Sequence, residues 1–299
     1  MLPAFLTTIF FALSVIFAAR SARLVGGTAA NLGRMIVAFV ALALWAHTWG
    51  AGLAGKKSLA WFFVSGCVGF GFGDIALFLA LTRIGPRLTV LLAQCLAAPF
   101  GALAERIWLG TALRPAQLAC GAVILLGVAI ALAPEQRGDI LEKAHGRTFW
   151  LGSFFGVLAA LGQALGAVIS RKAFAVAQLD GLHIDGGTAA YQRMLGGILI
   201  TALFFVAVKR LRPSEAPRAR AASALPWIVL NALAGPTIGV GCYQWALATV
   251  PSGIVLPIVA TTPVVAIPLA WAIERDCPRA RSIIGGLIAV AGTVALTRA

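Results

Sequence analysis

The sequence predicts an all-α membrane protein with ten transmembrane helices in two inverted five-helix repeats. Three observations predict it: an apolar composition, the regular spacing of apolar runs, and an ordered internal repeat. Sixty per cent of the 299 residues are hydrophobic and 11% are charged, which leaves too little polar surface to cover a water-soluble domain of this length. The net charge of +14 does not mark a nucleic-acid binder, because the basic residues fall mostly between the apolar runs, where they anchor topology. The expected partner is the lipid bilayer, with no nucleic acid.

The apolar runs hold 15 to 23 residues each and cover 2–19, 29–49, 59–81, 88–104, 116–133, 149–170, 189–208, 227–248, 254–273 and 282–296. Each is close to the ~20 residues that cross the hydrocarbon core. Trp45, Trp49, Trp61, Trp108, Trp150, Trp227 and Trp271 lie near run ends, as side chains that favour the headgroup level should. The first run lacks a preceding basic segment and is followed by Arg20 and Arg23, so it is expected to be a retained span and not a cleaved signal. The polar stretches 134–148 and 209–226 read as linkers. The expected organisation is a first repeat over 1–134, a linker over 135–148 and a second repeat over 149–299.

The repeat is carried by matches in one order. Thr28-Ala29-Ala30 before Arg34-Met35 recurs as Thr188-Ala189-Ala190 before Arg193-Met194. Gly69 and Gly73 recur as Gly235 and Gly239, Pro99 with Glu105-Arg106 as Pro268 with Glu274-Arg275, and Gly121 and Gly127 as Gly286 and Gly292. The offsets drift between 159 and 169 residues, as they do when loops differ slightly in length. Five spans per copy is an odd number, so the second copy enters the membrane from the opposite side. Inverted repeats of this kind underlie alternating access.

These residues resemble a known family. Arg34 early in the second span, a Gly-rich third span leading through Ala80-Leu81 and Gly85-Pro86 to a Pro-bearing fourth, Glu105-Arg106 and the Gly121, Gly127 pair are similar to the EamA repeat of the drug/metabolite transporter superfamily. Glu274-Arg275, Gly286 and Gly292 continue the pattern in the second half. The resemblance implies a basket-shaped ten-helix carrier with a central cavity between the halves. It also implies a role like those of relatives that include amino-acid exporters of the YddG type, drug exporters and sugar-phosphate or nucleotide-sugar carriers.

Orientation is argued from charge alone. Odd-numbered loops hold fifteen basic residues: Arg20, Arg23, Arg83, Arg87, Arg137, Lys143, Arg147, Lys209, Arg210, Arg212, Arg218, Arg220, Arg275, Arg279 and Arg281. Even-numbered loops and the C-terminus hold seven: Lys56, Lys57, Arg106, Arg114, Arg171, Lys172 and Arg298. The positive-inside rule places the odd loops in the cytoplasm and both termini outside, in a bacterial inner membrane.

Polar and aromatic residues inside the spans are the candidate substrate contacts. Gln94, Gln163, Phe78, Tyr243, Gln244 and Trp245 stand where a lipid-facing helix would use Leu or Ile, and uncharged hydrogen bonders suit a zwitterion or neutral metabolite. The same amides serve equally well as interhelical bonds that glue the bundle. Pro257, Pro263 and Pro268, with Gly235-Pro236, release carbonyls that neighbours or a watery cavity must satisfy, which marks Thr261 and Thr262 as candidates. Gly69 to Gly73 lies within an apolar span and lacks a dinucleotide-fold context, so it is read as helix packing. Cys67, Cys95, Cys120, Cys242 and Cys277 are scattered without metal spacing and are read as packing residues, and His47 and His183 as solvated.

Asp74 is the only acid well inside a span, and a charge there needs a partner or a cavity. Arg34 lies at a similar depth, so the two are expected to form a gate pair, with Arg193 as the pseudo-equivalent arginine and Val240 at the position matching Asp74. The expected function is export of small metabolites, foremost neutral or aromatic amino acids, by a monomer without cofactor or metal. A multidrug or organic-cation carrier would rely on Asp74 as its only membrane acid, and a sugar-phosphate carrier would want more basic residues in the spans than Arg34 and Arg193. An intramembrane or lipid-handling enzyme is disfavoured, since neither an H-E-x-x-H nor a G-x-S-x-G motif occurs.

Overall fold

A computed structural model describes residues 1–132, 147–211, 221–274 and 280–299. The linker expected at 135–148 lies outside the described residues except for its last two, and so do Cys277 and seven of the fifteen basic residues behind the orientation argument: Arg137, Lys143, Arg212, Arg218, Arg220, Arg275 and Arg279.

The described residues form helices and short connections, with no strand among them. Lipid offers no partner to backbone amides, so the apolar runs satisfy theirs internally as helices. In order these are α1 (Leu2–Val25), α2 (Gly27–Thr48), α3 (Lys56–Gly66), α4 (Asp74–Leu109), α5 (Pro115–Leu132), α6 (Arg147–Leu179), α7 (Gly186–Leu211), α8 (Ala221–Ala232), α9 (Val240–Thr249), α10 (Ser252–Ala260), α11 (Thr262–Glu274) and α12 (Ala280–Leu296). Helix α4 contains a break at Gly85, φ 74° and ψ 168°, next to Pro86, and this separates the third span from the fourth. Nine stretches among the described residues are long and apolar enough to cross a membrane, and Ala280–Leu296 is a shorter apolar tenth. The chain is an all-helical, multi-pass membrane protein.

Several helices outrun the apolar runs that announce them. Helix α1 continues through Arg20 and Arg23 to Val25, and α6 through Arg171 and Lys172 to Leu179. Helical bonding does not stop where the hydrocarbon does, and long basic side chains lie along the apolar surface with their charged heads at the interface.

Two seven-residue π-helical stretches, Cys67–Gly73 (π1) and Leu233–Gly239 (π2), join α3 to α4 and α8 to α9. They are 166 positions apart at both ends, since 233 − 67 and 239 − 73 give the same number. The repeat read from Gly69 and Gly73 is therefore present in the backbone as well. Wide π turns are rare and occur where a helix is locally interrupted, here by clustered glycines and, in π2, by Pro236.

The chain divides into two compact units that each draw on both halves of the sequence. One comprises Phe72–Val168 and Val250–Ala299 with Met1, and the other Leu2–Gly71 and Ile169–Thr249. We call them the α5–α12 unit and the α2–α7 unit after their central helix pairs.

In the α5–α12 unit the central helices meet backbone to backbone. A Cβ on Gly127 would lie 2.7 Å from the Gly285 carbonyl oxygen, and one on Gly292 would lie 3.0 Å from the Ile124 nitrogen. Lipid supplies no hydrophobic drive between helices, so close van der Waals approach must do the work, and small residues allow it. Ile283, Ile284, Leu287, Val290 and Val294 form the exposed opposite side of α12, the lipid-facing surface. The α2–α7 unit uses the same device where Gly66, Gly196 and Gly197 bring α3 and α7 together, with a Gly196 Cβ 3.0 Å from the Cys67 nitrogen.

Candidate functional site

In the α2–α7 unit, Arg193 on α7 is 4% exposed within a membrane span. Its guanidinium carbon lies 4.7 Å from the centre of the Phe70 ring and 5.9 Å from that of Tyr243. Such stacking stabilises a desolvated cation by up to ~2 kcal/mol. Position 69 must be glycine for this arrangement, because a Cβ there would fall on Nη2 of Arg193. The glycine run read as packing thus has a second use. Gly66 and Gly71 admit α7, the latter with Ile200 Cβ 2.7 Å from its own would-be Cβ, while Gly69 admits a cation.

The same unit holds polar atoms whose needs it does not meet. The Tyr243 hydroxyl, both ends of the Gln244 amide, the Gln192 carbonyl oxygen and the Thr237 hydroxyl are buried and find no hydrogen-bond partner among the described residues. Buried polar atoms are nearly always bonded, so this concentration is unusual. By contrast, the Gln192 amide nitrogen donates to the carbonyls of Gly52 at 2.9 Å and Ala54 at 3.2 Å, which fixes the loop after α2. Trp245, the third residue of the Tyr243-Gln244-Trp245 run, is half exposed. Arg34 donates from Nε to Asn31 at 2.7 Å.

Asp185 lies just before α7 and caps it. Its carboxylate accepts from the amides of Gly187 at 2.8 Å and Thr188 at 3.0 Å, from the Thr188 hydroxyl and from the Trp45 indole at 3.0 Å. Burial acts to raise its pKa, but these donors outweigh it and hold the carboxyl below the ordinary aspartate value. Asp180, on the same loop, lies 3.9 Å from Lys57. Asp185 is thus committed to the helix cap, and Asp180 faces a lysine.

The α5–α12 unit holds the other expected residues. Gln163 on α6 donates to Gln94 on α4 at 3.3 Å, so the two most conspicuous amides of the spans are brought together. Asp74 and Phe78 are half-buried on the first turns of α4. The hydroxyls of Thr261 and Thr262 bond the carbonyls of Ile258 and Val259, both at 2.6 Å. Pro263 has no amide to give Val259, so the Thr262 hydroxyl at the start of α11 supplies the missing donor.

Sequence reasoning missed two residues. Glu105 is 2% exposed and accepts from the Ser252 amide at 2.6 Å and the Ser252 hydroxyl, placing a carboxylate on the positive N-terminus of α10. The recurrence of Glu-Arg at 105 and 274 was the available signal. Gln192 was hidden beside Arg193, although its repeat partner, Gly33, shows that the second copy has gained a buried amide.

With this geometry in place, comparison with known proteins is informative. Residues 150–298 match the EamA-like transporter family. Residues 56–218, more than half of the chain, match the CRT-like, chloroquine-resistance transporter-like family. The chain belongs to the CRT-like family and carries an EamA-like transporter domain. No curated protein matches it. A crystal structure described only as that of a protein superimposes on 98% of this chain and 96% of its own with a TM-score of 0.73, and at 18% identity that likeness shows the fold. The chain is thus a membrane transporter of the drug/metabolite transporter superfamily, and in this CRT-like protein the buried polar groups described above are the candidates for contact with its cargo.

Proposed function

We propose that this CRT-like protein exports small zwitterionic metabolites, foremost neutral or aromatic amino acids, by alternating access, in the manner of the YddG-type amino-acid exporters. The observation that carries the reading is the set of buried polar atoms on Tyr243, Gln244, Gln192 and Thr237 that find no hydrogen-bond partner among the described residues, in a unit that also buries an arginine. Polar groups are costly in a membrane span unless they meet a polar guest or one another. Uncharged amides and hydroxyls with one cation suit a substrate that carries both signs of charge. Gln94, Gln163, Phe78, Thr261, Thr262, Tyr243, Gln244 and Trp245 are the proposed substrate contacts.

For the gates the assignment rests on the sequence: Asp74 with Arg34, and Arg193 as the arginine of the second repeat. The charge-swapped double variant, Asp74→Arg with Arg34→Asp, tests the first pair. It should restore folding that each single variant loses, and a swap that rescues neither folding nor transport removes the pair. With Asp74 as the one acid well inside a span of its sequence, the protein is read either as a facilitator working down the solute gradient or as a carrier that uses Asp74 alone. We place it in a bacterial inner membrane as a monomer, with both termini outside.

Counterflow in proteoliposomes is the decisive assay. Neutral and aromatic amino acids should exchange, while sugar phosphates and organic cations should not. Robust phosphate-ester exchange with no amino-acid signal overturns the proposal.

A further inference from the structure

We infer that the face shared by α3 and α7 holds an acyl chain of one anionic glycerophospholipid, with the phosphate of its headgroup on Lys56. A cleft of about 710 Å³ opens between the two helices. Lys56, Ala60 and Val64 line it from α3, and Leu195, Leu199 and Ala202 from α7. Positions three and four apart share one side of a helix, so each helix turns a single stripe to the cleft. Every lining residue except Lys56 is apolar, and all of them belong to the α2–α7 unit. Gly66 and Gly196, which let α3 and α7 meet, make the cleft part of that unit's own packing.

The membrane decides what fills it. Both helices belong to candidate spans, Lys56–Gly85 and Gly186–Ala207, and Val64 and Leu199 are 42% and 47% exposed. An empty cleft would forfeit dispersion contacts along its walls, and water would find no polar partners on them. A lipid chain is apolar and flexible, and it enters from the bilayer without crossing water. The length agrees as well. From Lys56 to Val64 is eight positions, ~12 Å of helix rise, against ~15 Å for one leaflet's share of the hydrocarbon core.

Lys56 selects the headgroup. It is exposed at the first turn of α3 and meets no acid among the described residues, since Asp180 lies 3.9 Å from Lys57 instead. Gly55 at the N-cap offers no side chain to the first amides of α3, so the partial positive charge of the helix start adds to the ammonium. A phosphodiester is the anion that arrives joined to an acyl chain. A second copy of this chain suits the face less well. Two-fold contact within one membrane would set both Lys56 side chains at equal depth, against a lining that offers no acid.

Lipid retention by the purified full-length protein, read by native mass spectrometry in detergent, tests the site. The probes are phosphatidylglycerol and phosphatidylethanolamine with the same acyl chains. The parent should retain one phosphatidylglycerol in preference to phosphatidylethanolamine. Lys56→Gln changes an exposed side chain and should weaken phosphatidylglycerol about fivefold, removing most of the preference. Ala60→Phe puts a ring into the cleft and should weaken both lipids. Arg298→Gln, which removes the same charge from an exposed position away from the cleft, is the control and should retain lipid as the parent does. Parental retention of phosphatidylglycerol by either Lys56→Gln or Ala60→Phe overturns the proposal, and so does an equal loss in Arg298→Gln. A parent dimer that Ala60→Phe converts to monomer, with lipid retention unchanged, would assign the cleft to a second copy instead.

Discussion

Separate replacement of Gly66 and Gly69 by alanine distinguishes the scaffold from the site. A Cβ at Gly66 falls on the main-chain oxygen of Arg193, with the Arg193 carbonyl carbon at 2.8 Å and the Gly197 nitrogen at 3.1 Å. All three are backbone atoms, so no change of rotamer relieves the overlap and α3 must back away from α7. Overpacking costs ~1–3 kcal/mol, and alanine returns up to ~1 kcal/mol in helix propensity. With only backbone in the way the cost falls at the upper end, so a net loss of about 2 kcal/mol is expected, a fall of roughly thirtyfold in the folding equilibrium. At Gly69 the overlapping atom is Nη2 of Arg193, and the next are Cζ at 3.4 Å and Nε at 3.7 Å. These belong to the end of a flexible side chain, which swings aside at little cost to the fold but leaves the face of Phe70. Unfolding in mixed micelles and amino-acid counterflow in liposomes report the two effects separately. Gly66→Ala should lower stability by about 2 kcal/mol, while Gly69→Ala should cost less, up to ~1 kcal/mol once lost stacking is set against helix propensity, and should lose most of the transport. Equal destabilisation by the two, or parental transport by Gly69→Ala, would refute the division.

Glu105→Ala should destabilise the protein by ~1.5–3 kcal/mol, because it removes a charged acceptor from the Ser252 amide and hydroxyl; Ser252→Ala should cost less, and thermal unfolding measures both. Gly127→Ala should be destabilising, since its Cβ meets backbone of α12 with the Gly285 oxygen at 2.7 Å, whereas Gly121→Ala should be tolerated, its nearest neighbour being Pro257 Cγ at 3.6 Å. The Asp185 cap should respond to acid. A carboxyl whose folded pKa is depressed contributes stability above its unfolded value and loses it as pH falls through the folded one, so hydrogen exchange at Gly187 and Thr188 should accelerate only below about pH 4. Asp185→Asn should exchange faster at neutral pH and lose that pH dependence.

The spans were legible because lipid imposes one requirement on every crossing segment, a run of about 20 apolar residues. Which helix packs on which was less legible. In a soluble helix the apolar stripe marks the buried face, but here the lipid-facing side, as at Ile36, Val40 and Leu44 of α2, is as apolar as the buried one. Only the small residues betray the contact, and the contacts of Gly66, Gly127 and Gly292 bear that out. The site was legible by residue type and not by role. Arg193 announced itself as a charge in a span, but its two aromatic neighbours come from positions 70 and 243, and nothing in the sequence ties those to 193. Thr261 and Thr262 stood out as polar, and their hydroxyls donate to the carbonyls of Ile258 and Val259, the second of which Pro263 leaves without its helical amide.

The two copies agree in backbone and differ in chemistry. Gly127 meets Ala289 as Gly292 meets Ile124, and both 292 − 127 and 289 − 124 equal 165, so the crossing of α5 and α12 is symmetric residue by residue. The π segments match in the same way. A chain whose copies were identical throughout would give its two inverted forms the same energy, and no ligand would favour one of them over the other. Any bias must therefore come from positions where the copies diverge: Asp74 against Val240, Gly33 against Gln192. The second difference immediately precedes the repeat's two arginines in the sequence. The proposed carrier thus keeps symmetry in the glycines that set helix contact and spends its asymmetry on the charged and amide side chains, and a ligand shifts such an equilibrium only by its differential affinity for the two forms.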